Sequence, residues 1–149
     1  MLLAMPDDLL RGIFMRNSLG EKNPEQLIYL DEGLTTTVAV FDDDDDNSGV
    51  KRKSLILNGV NMSASHMDSR KYMTLLSYIP LLLTENPKDV LVICFGTGLT
   101  SGAAGVYPGI DSVDAVDISP GVFRSAKIFS DINYDAINNP KIHKIVQDG

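Results

Sequence analysis

The stretch KDVLVICFGTGLTSGAA, residues 88–104, constrains the fold more than any other part of the chain. An apolar, β-prone run, DVLVICF, breaks into a turn with glycines at 96 and 98, and a small-residue, helix-compatible segment follows. When a strand turns straight into a helix, the first helical amides lack intrahelical partners and the helix dipole is positive there. A carboxylate, a phosphate or a ribose hydroxyl is favoured at such a junction. Glycines let a ligand approach the backbone closely. A G-x-G turn can also be no more than a tight connection, and both readings stay open at this point.

The segments that follow add to the ligand reading. SVDAVDIS (112–119) and KIHKIVQD (141–148) are short apolar strands, and helix-compatible segments lie at 100–107 and 120–132. Such alternation reads as β-α-β-α-β with a parallel sheet. Asp117 falls at the end of the second of these strands, 19 residues after Gly98. At that spacing an acidic side chain accepts hydrogen bonds from ribose hydroxyls. Asp148 closes the third strand on the same carboxyl edge, where open parallel sheets bind ligands. The dinucleotide fingerprint G-x-G-x-x-G is not met, because Ser101 takes the place of its third glycine and Gly102 comes one residue late. An adenosyl ligand without a pyrophosphate therefore fits better than a dinucleotide.

The first part of the chain has a different rhythm. LIYLDEGLTTTVAVF and VKRKSLILNG flank the polar stretch DDDDDNSG, which predicts a hairpin within a small antiparallel sheet. From residue 66, apolar positions at 72, 73, 75, 76, 79 and 82–83 predict a helix that Pro80 ends or bends. The boundary is placed between a β-rich subdomain, 1–65, and a nucleoside-binding domain, 66–149.

Composition bounds the function. The chain has 149 residues, 44% hydrophobic and 22% charged, which suits a folded globular chain. The formal net charge is −7, with five of the acidic residues in the run Asp42–Asp46. The one basic cluster, KRK at 51–53, faces that run, which argues against a nucleic-acid partner. No apolar run reaches the roughly 20 residues of a membrane helix. A single cysteine excludes an internal disulfide. With no basic region before the apolar residues at the start, the expected location is cytoplasmic.

EGLTTTVAVF, LILNGVNMSAS, YMTLLSYIPLLLTENPKDVLVICFGTGLTSGAA, VDAVDISPGV and NNPKIHKIVQDG, in this order and spacing, resemble the spermidine synthase (polyamine aminopropyltransferase) family. More closely, they resemble the spermidine-synthase-like domains that bacteria fuse behind a membrane-spanning region, so a membrane-tethered parent fits. The resemblance covers residues 27–149. It implies an α/β fold: an N-terminal antiparallel β-sheet subdomain, then the first half of a methyltransferase-type Rossmann fold, truncated after the third strand. Strand order 3-2-1-4-5-7-6 would leave the edge of VLVICF unpaired here. The chain is thus expected either to associate as a homo-oligomer or to receive its remaining strands from elsewhere.

The resemblance implies decarboxylated S-adenosylmethionine, or S-adenosylmethionine itself, as co-substrate, with an amine acceptor and no metal. It places Gly96, Thr97 and Gly98 beside the amino-acid-derived part of the ligand. Asp117 would bind the ribose, Ile118 would flank the adenine, and Asp148, followed by Gly149, would accept from the adenine amino group. Met62 and Tyr72 would border the polyamine groove. Three departures stand out: Thr97 where the family carries Asp, Met62 near a family Gln, and Met73 and Thr74 where an acidic residue follows the family tyrosine. The catalytic Asp of the family, which follows its fourth strand, is expected to be absent, so no catalytic residue is assigned. The readings are an aminopropyltransferase-like enzyme, a non-catalytic adenosyl-ligand-binding domain, and an S-adenosylmethionine-dependent methyltransferase.

Other features take plainer readings. A calcium loop started at Asp44 would put Leu55 where its bidentate glutamate belongs, so the Asp run is read as a solvated hairpin loop. His66 and His143 are read as surface or packing residues, and Cys94 as a small packed residue before the glycine loop.

Overall fold

The computed structural model describes residues 24–43 and 52–149. Four antiparallel strands come first: β1 (Leu27–Glu32), β2 (Thr37–Asp43), β3 (Arg52–Leu57) and β4 (Val60–Ala64), in the order β1-β2-β3-β4. Strands β2 and β3 form the expected hairpin. Their register sets Asp42 opposite Lys53 and Asp43 opposite Arg52, so unlike charges are cross-strand neighbours. The tip of the hairpin, with Asp44–Asp46, lies outside the described residues.

The helix α1 (Met67–Leu83) then leads into β5 (Asp89–Ile93), α2 (Leu99–Val106), β6 (Ser112–Asp117), the short α3 (Pro120–Ser125) and β7 (Ile142–Val146). The strands β5, β6 and β7 are parallel, in that order. Read from β7, this is the 3-2-1 half of the methyltransferase-type order, so the expected fold class holds.

Of the two effects expected of Pro80, termination does not occur: α1 runs through it for three further residues. Proline removes one N–H, and here the bond forgone is to Leu76, half exposed on the outer side of the last turns, where losing it is least costly. The helix expected over 120–132 closes at Ser125 and tightens into a 3-10 turn, Ala126–Phe129. Ser130 donates to the Lys127 carbonyl, and the Ala126 carbonyl accepts from the buried side-chain amide of Asn133 at 3.0 Å. A side chain has replaced the helical donor, so the α-helical ladder need not continue.

One buried cluster joins the two sheets. Val38, Val40 and Leu55 of the antiparallel sheet belong with Val92, Val113 and Ala115 of the parallel one, and with Val122, Phe123 and Phe129 between them. Polar links reinforce this. Lys53 Nζ donates to the Ile128 carbonyl at 2.8 Å and pairs with Asp131 at 3.2 Å. Asp31 Oδ2 accepts from Tyr29 Oη at 3.0 Å and pairs with the Arg124 guanidinium at 2.6 Å, tying β1 to α3.

Burial, aided by the Asp31 carboxylate, raises the Tyr29 hydroxyl above its ordinary value of 10.0. A raised folded-state value means that the neutral phenol stabilises the fold fully below pH 10 and that this contribution is lost as pH rises through the folded value. In thermal melts above pH 10, the melting temperature of Tyr29→Phe is therefore expected to fall less steeply with pH than that of the wild type. Parallel slopes would remove Tyr29 from the alkaline response.

Candidate nucleoside site at the strand ends

The backbone after β5 is shaped by three left-handed residues within five: Cys94 (φ 70°), Gly96 (φ 57°) and Gly98 (φ 81°). Such values suit glycine, and for Cys94 they cost about 1–2 kcal/mol. Cys94 is exposed, which corrects the expectation of a packed residue. Its N–H still completes the ladder by donating to the Val116 carbonyl at 2.9 Å, and that bond helps to hold the strained turn. A β-carbon at Gly96 would meet nothing within 4 Å, so this residue faces open space. At Gly98, by contrast, it would lie 2.7 Å from the Phe95 ring, so packing as well as dihedral angle demands glycine there. Gly98 caps the N-terminus of α2 without a side-chain donor or acceptor.

Asp117 anchors this turn. Its Oδ2 accepts from the Phe95 N–H and its Oδ1 from the Ser119 N–H, each at 2.9 Å, and the residue is 9% exposed. The carboxylate thus couples the glycine loop to the end of β6. Each of its oxygens has a further lone pair. Ile118, next to it, is half exposed at the mouth.

The end of β7 bends back toward the same edge. Gln147 N–H donates to the Asp117 carbonyl at 3.1 Å. A β-carbon on Gly149 would fall 2.6 Å from Ile93 Cγ2, so the 147–149 segment crosses β6 and reaches the end of β5. Asp148, between these two anchors, is exposed. Gly96, Gly98, Asp117, Ile118, Asp148 and Gly149 are therefore brought to one edge of one sheet.

Thr97 behaves differently. It is 1% exposed, and its hydroxyl lies 3.5 Å from Ser63 Oγ and 3.6 Å from Met73 Sδ. Thr97 turns away from open solvent and locks β4, α1 and the loop together. Met62 and Tyr72 each precede a member of this cluster, but both side chains are exposed, at 57% and 62%.

Asn133 is the residue that sequence reasoning missed. Fully buried, it donates to the Thr97 carbonyl at 2.8 Å and to Ala126, and its side-chain oxygen accepts from the Ala136 N–H at 3.3 Å. It braces the loop from behind. Its setting in SDINYDAINN resembles an ordinary polar loop and gives no signal.

Among the described residues no group of three or more His, Cys, Asp or Glu side chains could hold a metal ion. His143 Nδ1 meets Asp114 on the exposed sheet face at 3.0 Å, and His66 meets Ser69 at the start of α1. Among the described residues no helix is long and apolar enough to cross a membrane.

A glycine turn braced by an acidic strand end, on the carboxyl edge of a parallel sheet that follows an antiparallel one, defines an α/β protein with a Rossmann-like fold and a crevice at its strand ends. Comparison with known proteins is more specific. No protein-family model matches the chain. It is 32% identical over 97 residues to the polyamine aminopropyltransferase of Methanocaldococcus jannaschii, which covers 65% of this chain and 33% of that protein. It is 30% identical over 95 residues to the spermidine synthase of Dictyostelium discoideum, covering 64% and 33%. In structure it is similar to the spermidine synthase of Thermotoga maritima, with TM-score 0.70 and 19% identity over 83% of this chain and 41% of that one. It is equally similar, at TM-score 0.70 and 19% identity over 82% and 40%, to a spermidine synthase solved with the transition-state analogue AdoDATO. The chain is thus spermidine-synthase-like, resembling the N-terminal part of that family, and spans about a third of the length of these curated relatives.

Proposed function

We propose that this chain is the donor-binding part of a spermidine-synthase-like aminopropyltransferase. The observation that carries the reading is the Asp117 carboxylate, fixed by the Phe95 and Ser119 amides where the glycine turn and the end of β7 converge. In it, decarboxylated S-adenosylmethionine lies across Gly96–Gly98, its ribose hydroxyls donating to Asp117. Ile118 flanks the adenine and Asp148 accepts from its amino group.

The acceptor amine attacks the carbon next to the sulfonium. A C–N bond forms as the C–S bond breaks, the sulfur leaves as a neutral thioether, and the amine loses a proton to a base. No residue of this chain is assigned as that base. The contribution of these residues is proximity and orientation, which can account for several kcal/mol of a barrier of this kind.

One observation supports a second reading. The loop residue that carries Asp in the family is here Thr97, committed to Ser63 and Met73, so this part of the loop holds no carboxylate for a cationic tail. That favours a non-catalytic adenosyl-ligand domain or a methyltransferase that uses S-adenosylmethionine.

Titration calorimetry of the chain with the two donors separates these readings. Tighter binding of the decarboxylated donor is expected for aminopropyl transfer. Tighter binding of S-adenosylmethionine would replace it with the second reading, and binding of neither would refute the donor site.

A further inference from the structure

Where the first half of α1, the start of α2 and the 130s turn meet, they border a cavity of about 380 Å³. Small-ligand sites occur at this size. Its apolar walls come from all three segments: Met67 and Leu75 of α1, Leu99 of α2 and Ile132 of the turn. Arg70 and Lys71 stand at the same cavity, Thr74 adds a hydroxyl, and no Asp or Glu lines it. Both cations are exposed, and among the described residues neither has an ion-pair partner. Two adjacent, unneutralised cations on a chain of net charge −7 favour an anion at this mouth.

The turn side of the cavity is strained. Tyr134 and Asp135 are successive non-glycine residues in the left-handed region, at φ 57° and 52°. Strain of this kind persists where the surroundings enforce it, and it gathers at ligand clamps. For Asp135, bonds from the Asn138 side-chain amide at 3.0 and 3.1 Å offset the cost. For Tyr134 the consequence is position, because its side chain reaches from the turn to α1. There burial, and then the Tyr134 hydroxyl, raise the Tyr78 hydroxyl above its ordinary value of 10.0. Ile132 and Tyr134 flank Asn133, whose bonds to the Thr97 and Ala126 carbonyls hold this wall in place, so the cavity is preformed.

We propose that this cavity binds a small organic anion, its carboxylate or phosphate head paired to Arg70 and Lys71 and its apolar body seated against Met67, Leu75, Leu99 and Ile132. The planar fork of a guanidinium matches either head. The site is separate from the strand ends, since Gly96, Asp117, Ile118 and Asp148 do not line it. It also lies off the exposed apolar stripe of α1, formed by Tyr72, Leu76, Ile79 and Leu83. The assignment does not rest on the donor reading, whose cationic ligand Arg70 and Lys71 would repel.

The test is an amide chemical-shift titration of the 149-residue chain with octanoate and, separately, with octyl phosphate, octanol serving as the neutral control. Expected is saturable one-to-one binding of the anions, with the largest shifts at Arg70, Lys71, Leu99, Ile132 and Tyr134. Octanol is expected to bind about tenfold more weakly, and the double variant Arg70→Gln/Lys71→Gln to weaken the anions by about the same factor. Its thermal melt should match the wild type, because both residues are exposed and glutamine suits a helix as well as they do. Tighter octanoate would assign a carboxylate ligand, and tighter octyl phosphate a phosphate ester. Octanol binding as tightly as the anions, a double variant that binds them unchanged, or shifts centred on Asp117 instead would overturn the proposal. So would the lack of any saturation by about 10 mM, beyond the millimolar range of a weak site.

Discussion

Gly102→Ala is expected to lower the melting temperature by about 10 °C, from a net loss on the order of 3 kcal/mol for a chain of this size. The new β-carbon would fall 1.9 Å from the Asn133 carbonyl oxygen and 2.9 Å from its carbonyl carbon. Two effects compete. Alanine favours a helix over glycine by about 1 kcal/mol, whereas forcing an extra carbon into a packed interior costs about 1–3 kcal/mol and sometimes more. The clash wins because the obstacle is backbone, and Asn133 is itself pinned by its bonds to Thr97, Ala126 and Ala136. Gly105→Ala is the control. There the nearest atom, at 2.8 Å, is the side-chain nitrogen of Asn139, which can swing aside, so a change within about 1 kcal/mol is expected from the offsetting helix preference. Equal destabilisation by the two substitutions would show that the contact between α2 and the 130s turn is not rigid.

Asp117→Ala is expected to damage both stability and binding. It strips the partner from two amides, Phe95 and Ser119, and a buried donor left unsatisfied costs about 1–3 kcal/mol. A loss on the order of 2–4 kcal/mol is a large part of the 5–15 kcal/mol that typically holds a domain together. Asp117→Asn separates the two roles. Its remaining oxygen still accepts one amide, so folding is largely retained, while loss of the charged acceptor should weaken adenosyl-ligand binding by about tenfold to a hundredfold. Calorimetric affinity together with thermal melts of both variants checks this. An Asp117→Asn protein that binds as tightly as the wild type would leave Asp117 a brace for the loop and nothing more.

The sequence was most legible where local chemistry and long-range structure agree. DVLVICF and the glycines after it carry their signals within a few residues, because a strand-to-helix turn restricts both dihedral angles and side-chain size, and Asp117 is marked by its place at the end of the next strand, 19 residues after Gly98. The alternation that predicted a parallel sheet works for the same reason. What stayed hidden depends on contacts across the chain. Asn133 reaches a carbonyl 36 residues away at Thr97, and Arg124 pairs with Asp31, 93 residues earlier. Neither is marked by periodicity or spacing. The early end of α3 follows from the same cause, since the Asn133 amide takes the place of a helical donor. Gly102 was noticed only as a misplaced fingerprint glycine. Its physical role, making room for the backbone at Asn133, becomes visible once the two segments meet. Cys94 shows the opposite failure: a small residue was read as packed, but the left-handed turn carries it to the surface.

The most direct test of the nucleoside site is an amide chemical-shift titration of the 149-residue chain with decarboxylated S-adenosylmethionine. The account predicts that the largest shifts fall on Gly96, Gly98, Asp117, Ile118 and Asp148, with those of the α1 stripe nearly still. Shifts confined to α1 and the 132–134 segment, or none at saturating ligand, would contradict it.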